Sequence, residues 1–404
     1  MSGPAISLVM PCYERAHDLA RVLRAYDEQI GDVAFEIIAV DDASRDATGA
    51  VLAGYRPRRF ALRCERVAVN SGPATARNRG LQLAQAPIVL FVGDDIVPAP
   101  DLVAGHVRAH QAHPEPGAAI LGRVAWPEDL PRTTLMEHID GVGAQQFSYH
   151  YLADDTEYDF RHFYTANVSL KTGLVRDAGA AFDTSFPHAA MEDAEFAYRL
   201  AARGLRIRYV AGLLGHHYHF HTIWSFAERQ RLAGQMAAHF ASKHPEVASS
   251  LRVTQTRLLS ALPMLVALER LLRPGLDAAA LEHHALTLAS TYEWTPHALL
   301  DELYLGVLDY FWQKGIIAGV FGARAARVTD AYAAVALAPL LRRFLERAPG
   351  LGVPLPFAHP GRLHAQLLRS EPVLMRRPIL GRTAPQWARA AWAALQRHRA
   401  PAAA

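Results

Sequence analysis

With 404 residues, 51% of them hydrophobic and 20% charged, the chain has a globular rather than a disordered composition and room for a sizeable core and two domains. A formal net charge of +3 argues against general nucleic-acid binding through the whole surface. Cys12 and Cys64 are too few for a disulfide framework and lack metal-site spacing, so a reducing cytoplasm is expected. The basic residues are nearly all Arg, with Lys only at Lys171, Lys243 and Lys314; beside the abundant Ala, this reports a GC-rich genome rather than a function. No basic segment followed by a long apolar one opens the chain, so no secretory leader is expected. The longest apolar stretches, such as 258–268, are interrupted by Ser and Pro and fall short of a membrane span.

Over the first hundred residues short apolar runs alternate with helical patterns. Strands are predicted at 6–10, 35–40, 62–69 and 88–92, and helices at 16–30, 47–55 and 73–86, the last opening on Pro73. That alternation predicts an α/β fold, a mostly parallel sheet with helices on both faces. Ligands bind such sheets at the carboxyl ends of the strands. At those ends stand Pro11-Cys12-Tyr13-Glu14, Asp41-Asp42-Ala43-Ser44 and Asp94-Asp95. Three strands therefore aim short polar motifs at one rim. Farther on, 118–126 and 163–170 read as strands flanking an aromatic, acidic loop, FSYHYLADDTEYDFRHF. A helix at 192–203 ends at Gly204, a strand follows at 207–210, and from about 221 the pattern is almost wholly helical. The expected division is an α/β domain over 1–230 and a helical region over 231–404, with a basic tail at 361–404.

The run Ile88-Val89-Leu90-Phe91-Val92 ends on Gly93 and then on two adjacent carboxylates, Asp94 and Asp95. Neighbouring acids repel and lose hydration beside an apolar strand, so a positive partner is expected between or beyond them. A hard divalent cation suits carboxylate oxygen and is usually completed by substrate phosphates; a solvated turn or a helix cap is the alternative. The stretch GHHYHFHT carries His216, His217, His219 and His221, and on a strand residues 217, 219 and 221 share a face. Zinc is disfavoured there, because no Cys or acidic partner of suitable spacing accompanies the histidines.

Seven segments in order resemble the catalytic domain of glycosyltransferase family 2, over about the first 230 residues. They are ISLVMPCYERAHDLARVL, IIAVDDASRDAT, NSGPATARNRGL, IVLFVGDDIVPAPDLV, TANVSLKTGLVRDAGAAFDTSF, MEDAEFAYRLAARGLRIRY and the histidine cluster. The resemblance implies a GT-A fold and a metal-dependent, inverting transfer from a nucleotide-diphosphate sugar, with UDP- or dTDP-type donors favoured. The acceptor it implies is a hydroxyl of a glycan, a lipid-linked molecule or a small molecule.

By the same resemblance, Pro11, Tyr13 and Glu14 border the nucleotide, and Asp42 hydrogen-bonds the base, a carboxylate being suited to the N–H of uracil or thymine. Capping the next helix with Ser44 or Asp46 is the other role open to Asp42. Arg77 and Asn78 lie over the nucleotide and diphosphate, where a planar guanidinium pairs well with phosphate oxygens; a surface-helix arginine is the plainer alternative. Asp94 reaches the donor's ribose, its sugar or a metal-bound water. Asp95 and His217 hold Mn²⁺ or Mg²⁺, although Gly93 stands where many members carry the first acid of their metal motif. Asp193 matches the general base, and Asn167, Glu192 and His219 belong to the sugar or acceptor pocket. Glu192 and Asp193 also fit as first-turn acids complementing a helix dipole, and Asn167 as a structural turn or strand residue.

The tail over 361–399 carries eight Arg against one acid, Glu371, with Trp387 and Trp392 on an Ala-rich helical stretch. Such a stretch suits an anionic lipid surface at the inner face of a cell membrane, a contact to another copy of the chain, or plain solvent. Two rivals to an active transferase remain: a catalytically inactive GT-A module acting as a binding partner, for which Gly93 leaves room, and a nucleotidyltransferase. The second wants a Gly-rich, basic loop after the first strand, which MPCYERAHD does not offer.

Overall fold

The computed structural model describes residues 3–141, 145–253, 278–322 and 325–370. The apolar stretch at 258–268 and the basic tail beyond 370, with Trp387 and Trp392, lie outside the described residues. Two compact units are formed, one by residues 1–131 with 139–220 and one by residues 132–138 with those from 221 on.

The first half of the α/β unit alternates as its sequence predicts: β1 (Ile6–Cys12), α1 (Ala16–Asp27), β2 (Phe35–Asp41), α2 (Thr48–Gly54), β3 (Ala61–Arg66), α3 (Pro73–Leu83) and β4 (Ile88–Val92). There follow β5 (Ile96–Pro98), α4 (Leu102–Ala112), β6 (Ala118–Ala125), α5 (Thr134–Gly141), β7 (Thr156–Tyr158), β8 (Asn167–Lys171), α6 (Thr172–Asp177), α7 (Glu192–Ala201) and β9 (Arg206–His217). β2 and β4 are buried along their whole length and β1 along nearly all of it, as central strands covered on both faces must be. β3, at the sheet edge, is largely exposed. α1 buries Leu19, Val22, Leu23 and Tyr26, one stripe of an amphipathic helix.

The sheet runs β3-β2-β1-β4-β8-β6-β9-β5, with β7 added on β9. Strands β1 to β4 are mutually parallel, and β8 enters antiparallel between β4 and β6. Two antiparallel steps restore direction, and β9 pairs parallel to β6. The carboxyl ends of β1, β2, β4, β6 and β9 therefore open on one rim, together with the amino end of β8. Side-chain alternation divides the core. Ile6, Leu8 and Met10 pack with α1 and α4 on one face, while Val9, Val89 and Phe91 pack with α7 on the other.

β9 is much longer than the strand expected at 207–210. Its pairing with β6 slips between Gly122 and Arg123, so that Gly122 faces Val210 but Arg123 faces Leu214. The residues skipped by this bulge, with Gly212 among them, break the alternation by which a strand is recognised. The aromatic loop over 147–163 contains the short β7 and two single 3₁₀ turns.

In the second unit, α8 (Ile223–Lys243) starts on a capping box of Thr222 and Ser225. It is followed by α9 (Ala278–Thr291), α10 (Leu300–Phe321), α11 (Ala325–Arg347) and α12 (Pro360–Ser370). α8 and α10 meet where Gly234 lies against the Trp312 carbonyl and Gly315 against that of Arg231; a Cβ at either would collide with backbone. The 132–138 segment is tied in by Thr134, whose hydroxyl meets the Tyr304 hydroxyl at 2.8 Å, and by His138 Nδ1, 2.7 Å from Asp301. No helix of the described residues is long and apolar enough to cross a membrane.

Candidate active site

The positive partner that Asp94 and Asp95 require is Arg15, three residues beyond the end of β1. Its Nη2 donates to Asp95 Oδ2 at 2.8 Å, and its Nε lies 3.4 Å from Asp94 Oδ1. The same Nη2 is 3.0 Å from His219 Nδ1. A guanidinium only donates, so Nδ1 presents a lone pair to it. Asp95 Oδ2 and His219 Nδ1, 3.3 Å apart, are thus two electron-rich atoms turned toward one positive charge. Asp94 is further held by the backbone N–H of Tyr13 at 3.1 Å. Burial and the charge of Asp95 push the Asp94 carboxyl up, to about 8. Burial works against the Asp95 carboxylate too, but His217 and Arg15 outweigh it and hold it well below the usual range.

His217 Nε2 lies 3.4 Å from the same Asp95 oxygen, so the structure gathers Asp95, His217 and His219, each offering one ligand atom within 4.8 Å of the others. The acidic partner missing from the local sequence of the histidines is supplied by β4, which removes the objection that spacing raised. Two imidazoles and a carboxylate at the mouth of a sheet fit a divalent cation. Trp126, just past β6, holds the His219 backbone and lies beside the His217 ring: its indole N–H donates to the His219 carbonyl at 3.0 Å, and its ring lies 16° from coplanar with His217. At Gly93, an added Cβ would come 2.8 Å from Asp95 Oδ1. Glycine there leaves the Asp95 carboxylate room to face the histidines.

An aromatic wall leads away from the cation seat. His217 meets Phe147 at 6.1 Å between ring centroids, and Phe147 meets Tyr164 at 5.2 Å. Burial pushes the Tyr164 phenol up to about 12, with a smaller contribution from the charge of Asp193. Asp193 and Glu192 open α7 behind Met191, a non-glycine residue held at φ 66°. Glu192 is buried and accepts from Arg77 Nη1 at 2.6 Å, both side chains being under one-tenth exposed. Arg77 also lies over the Phe182 ring at 5.6 Å. Asp193 is partly buried and has no such ion pair among the described residues; burial and the charge of Glu192 push its carboxyl up to about 7.

The other expected residues divide between rim and scaffold. Pro11 ends the β4 side of β1, where pairing stops at Val9, and it has no N–H to extend that ladder. The Tyr13 ring is 41% exposed at the rim, and Glu14 follows at φ 52° with its N–H on Ser44 Oγ at 2.9 Å. Both Asp42 oxygens accept backbone N–H groups, from Ser71 at 2.9 Å and Gly72 at 2.8 Å, fixing the entry to α3 rather than capping α2. Asn78, expected over the nucleotide and diphosphate, donates to and accepts from the Phe182 backbone at 2.8 Å, a clamp between α3 and the loop before α7. Asn167, expected in the sugar or acceptor pocket, is fully buried, donates to the Arg123 and Leu213 carbonyls, and meets His106 Nε2 at 2.9 Å, the contacts of a structural strand residue. His106 and His110 share the buried Ser169 hydroxyl, and burial lowers them to about 4 and about 3, leaving neutral imidazoles beneath the rim. Arg15 and Trp126 are the site residues that the sequence did not single out.

Residues 7–175 match the family model described as Glycosyl transferase family 2, a span that includes Arg15, Asp94 and Asp95 and ends before Asp193 and His217. Validoxylamine A glucosyltransferase of Streptomyces hygroscopicus subsp. jinggangensis (strain 5008) is 31% identical over 225 residues, 50% of this chain and 52% of that protein. The uncharacterized glycosyltransferase YfnE of Bacillus subtilis (strain 168) is 34% identical over 105 residues, 26% of each chain. The chain thus spans about half the length of the first relative and about a quarter of the second. Among solved structures, the mannosyltransferase PcManGT from Pyrobaculum calidifontis, in complex with GDP-Man and Mn²⁺, overlaps 92% of this chain and 86% of its own at 17% identity and a TM-score of 0.47, too loose a likeness to bear on function. Residues 7–175, somewhat under half of the chain, are thus similar to glycosyltransferase family 2.

Proposed function

We propose that the α/β unit transfers a glycosyl group, with inversion, from a nucleoside-diphosphate sugar to an acceptor hydroxyl. The observation that carries this is the pairing, in a chain that matches family 2 over residues 7–175, of a candidate cation seat (Asp95, His217, His219) with a carboxyl raised toward neutrality (Asp193). Asp193 takes the acceptor proton as the new bond to the anomeric carbon forms. The bond from that carbon to the diphosphate oxygen breaks, and the nucleoside diphosphate leaves with the electron pair. General-base assistance of this kind typically supplies ~10²–10⁴-fold. A divalent ion, Mn²⁺ or Mg²⁺, held by Asp95, His217 and His219 would offset charge on the departing diphosphate.

Glu192, fixed by Arg77, sets the charge beside Asp193. Asp42 has two oxygens and hence about four lone-pair sites. Two are used by Ser71 and Gly72, so a base N–H can still be accepted, which favours uridine or thymidine donors.

A thermal-shift panel tests this reading. UDP, dTDP, GDP and CMP are each added with Mn²⁺, Mg²⁺ or chelator to wild type and Asp95→Asn. Ligand at a hundredfold excess over Kd raises apparent stability by ~2.7 kcal/mol. A metal-dependent shift with UDP or dTDP, lost in Asp95→Asn, is expected. No shift with any nucleotide from well-folded protein would transfer the assignment to a non-catalytic module.

A further inference from the structure

The atoms that would bind a divalent ion are already contacted by a cation. Arg15 Nη2 donates to Asp95 Oδ2 at 2.8 Å and meets His219 Nδ1 at 3.0 Å, and these residues supply two of the three ligands of the candidate seat. A lone pair cannot serve a guanidinium and a metal ion at once in the same direction, so the two cations exclude one another. We infer that Arg15 is a built-in competitor that sets the divalent-cation affinity of the site, an inference resting on the cation seat proposed above.

The surroundings of Arg15 permit that exchange. Its backbone is anchored, the N–H donating to Thr48 Oγ1 at 2.8 Å, while its side chain is 27% exposed against 12% for each of the two acids. The guanidinium can therefore swing into water without disturbing β1, α1 or the core beneath. Without a divalent ion, Arg15 supplies the positive charge that two adjacent carboxyl groups require, 3.4 Å from Asp94 and 2.8 Å from Asp95. When the ion arrives, its binding free energy is reduced by the charge-assisted hydrogen bonds that Arg15 must give up. The residue acts on the cation through shared ligands; it is a positioning and affinity-setting group rather than a ligand itself.

The test is direct Mn²⁺ titration, followed by the electron paramagnetic resonance of free Mn²⁺, on full-length wild type, Arg15→Gln, Arg15→Lys and Asp95→Asn without nucleotide. Arg15→Gln is expected to bind Mn²⁺ about tenfold more tightly than wild type, the scale of losing one charge-assisted hydrogen bond to the competitor. Arg15→Lys, shorter and without the fork, is expected between the two. It also keeps the question open to refutation should the Gln variant fail to fold by circular dichroism. Equal or weaker binding by the folded Arg15 variants, with wild type binding and Asp95→Asn not, overturns the inference while the cation seat stands. If none of the four proteins binds Mn²⁺, the seat and the competitor fall together.

Discussion

Asp94-Asp95 and Glu192-Asp193 look alike in sequence: two adjacent acids, each pair with one arginine beside it in the fold. Their arginines are used differently. Arg15 spans both carboxylates of its pair from a partly exposed position, so the pair shares one mobile positive charge. Arg77 is buried and bonds to Glu192 alone, so Asp193 carries the cost of its own burial and of its neighbour's charge. The first arrangement is the one in which we propose that one cation is exchanged for another. The second makes a fixed pair in which one acid is held in a buried ion pair and the other, pushed up to about 7, is left to exchange a proton. Where an arginine lies, rather than the presence of an acid pair, decides which chemistry results.

The comparison breaks most visibly at Asp193. Asp193→Asn is expected to lose ~10²–10⁴-fold in kcat. Nucleotide affinity, measured by isothermal titration, should remain near wild type, since the change spares the first acid pair. Comparable losses of affinity and turnover would put Asp193 in donor binding and remove it as base.

Stability separates the two arginines next. Arg77→Met strands Glu192, only 2% exposed, and should cost about 3–5 kcal/mol in urea unfolding. Arg15→Gln, from a rim position, should cost less than about 1 kcal/mol. Equal costs would mean that both arginines serve as scaffold.

The smallest effect concerns pH. Below about 7 the Asp193 carboxyl keeps its proton and cannot take another, so kcat/KM should fall as pH drops through that value and level off above it. Glu192→Gln removes the charge that raises the Asp193 carboxyl and should move the acid limb to lower pH. A limb that stays in place would belong to some other group.

Much of the sheet could be read from the chain because its signals are local. The strand at 88–92 has the bounds expected of it, and α1 and α3 start where Ala16 and Pro73 are placed by periodicity and by proline's preference for a helix start. β9 was legible only in part, since its bulge hides half the strand behind Gly212 and Gly215. The residue types of the site were also legible: acids at the ends of β2 and β4, an acid pair at the start of α7, and histidines in alternation. The roles of Asn78 and Asn167 were not legible, because an amide suits a sugar hydroxyl and a buried carbonyl equally well. Only their partners, Phe182 for one and Arg123, Leu213 and His106 for the other, distinguish the two uses.

The sequence by itself determined the alternation of strands and helices, the rim on which polar motifs gather, and the demand of Asp94 and Asp95 for positive charge. Each follows from periodicity or from the electrostatics of adjacent residues, which act over a few positions of chain. Only the tertiary structure decided what meets that demand. Arg15 and Asp95 are 80 residues apart and His219 is a further 124 along, and three parallel strand ends bring them within hydrogen-bonding distance. Contacts closed over such separations depend on sheet order and register, and no local pattern carries that information.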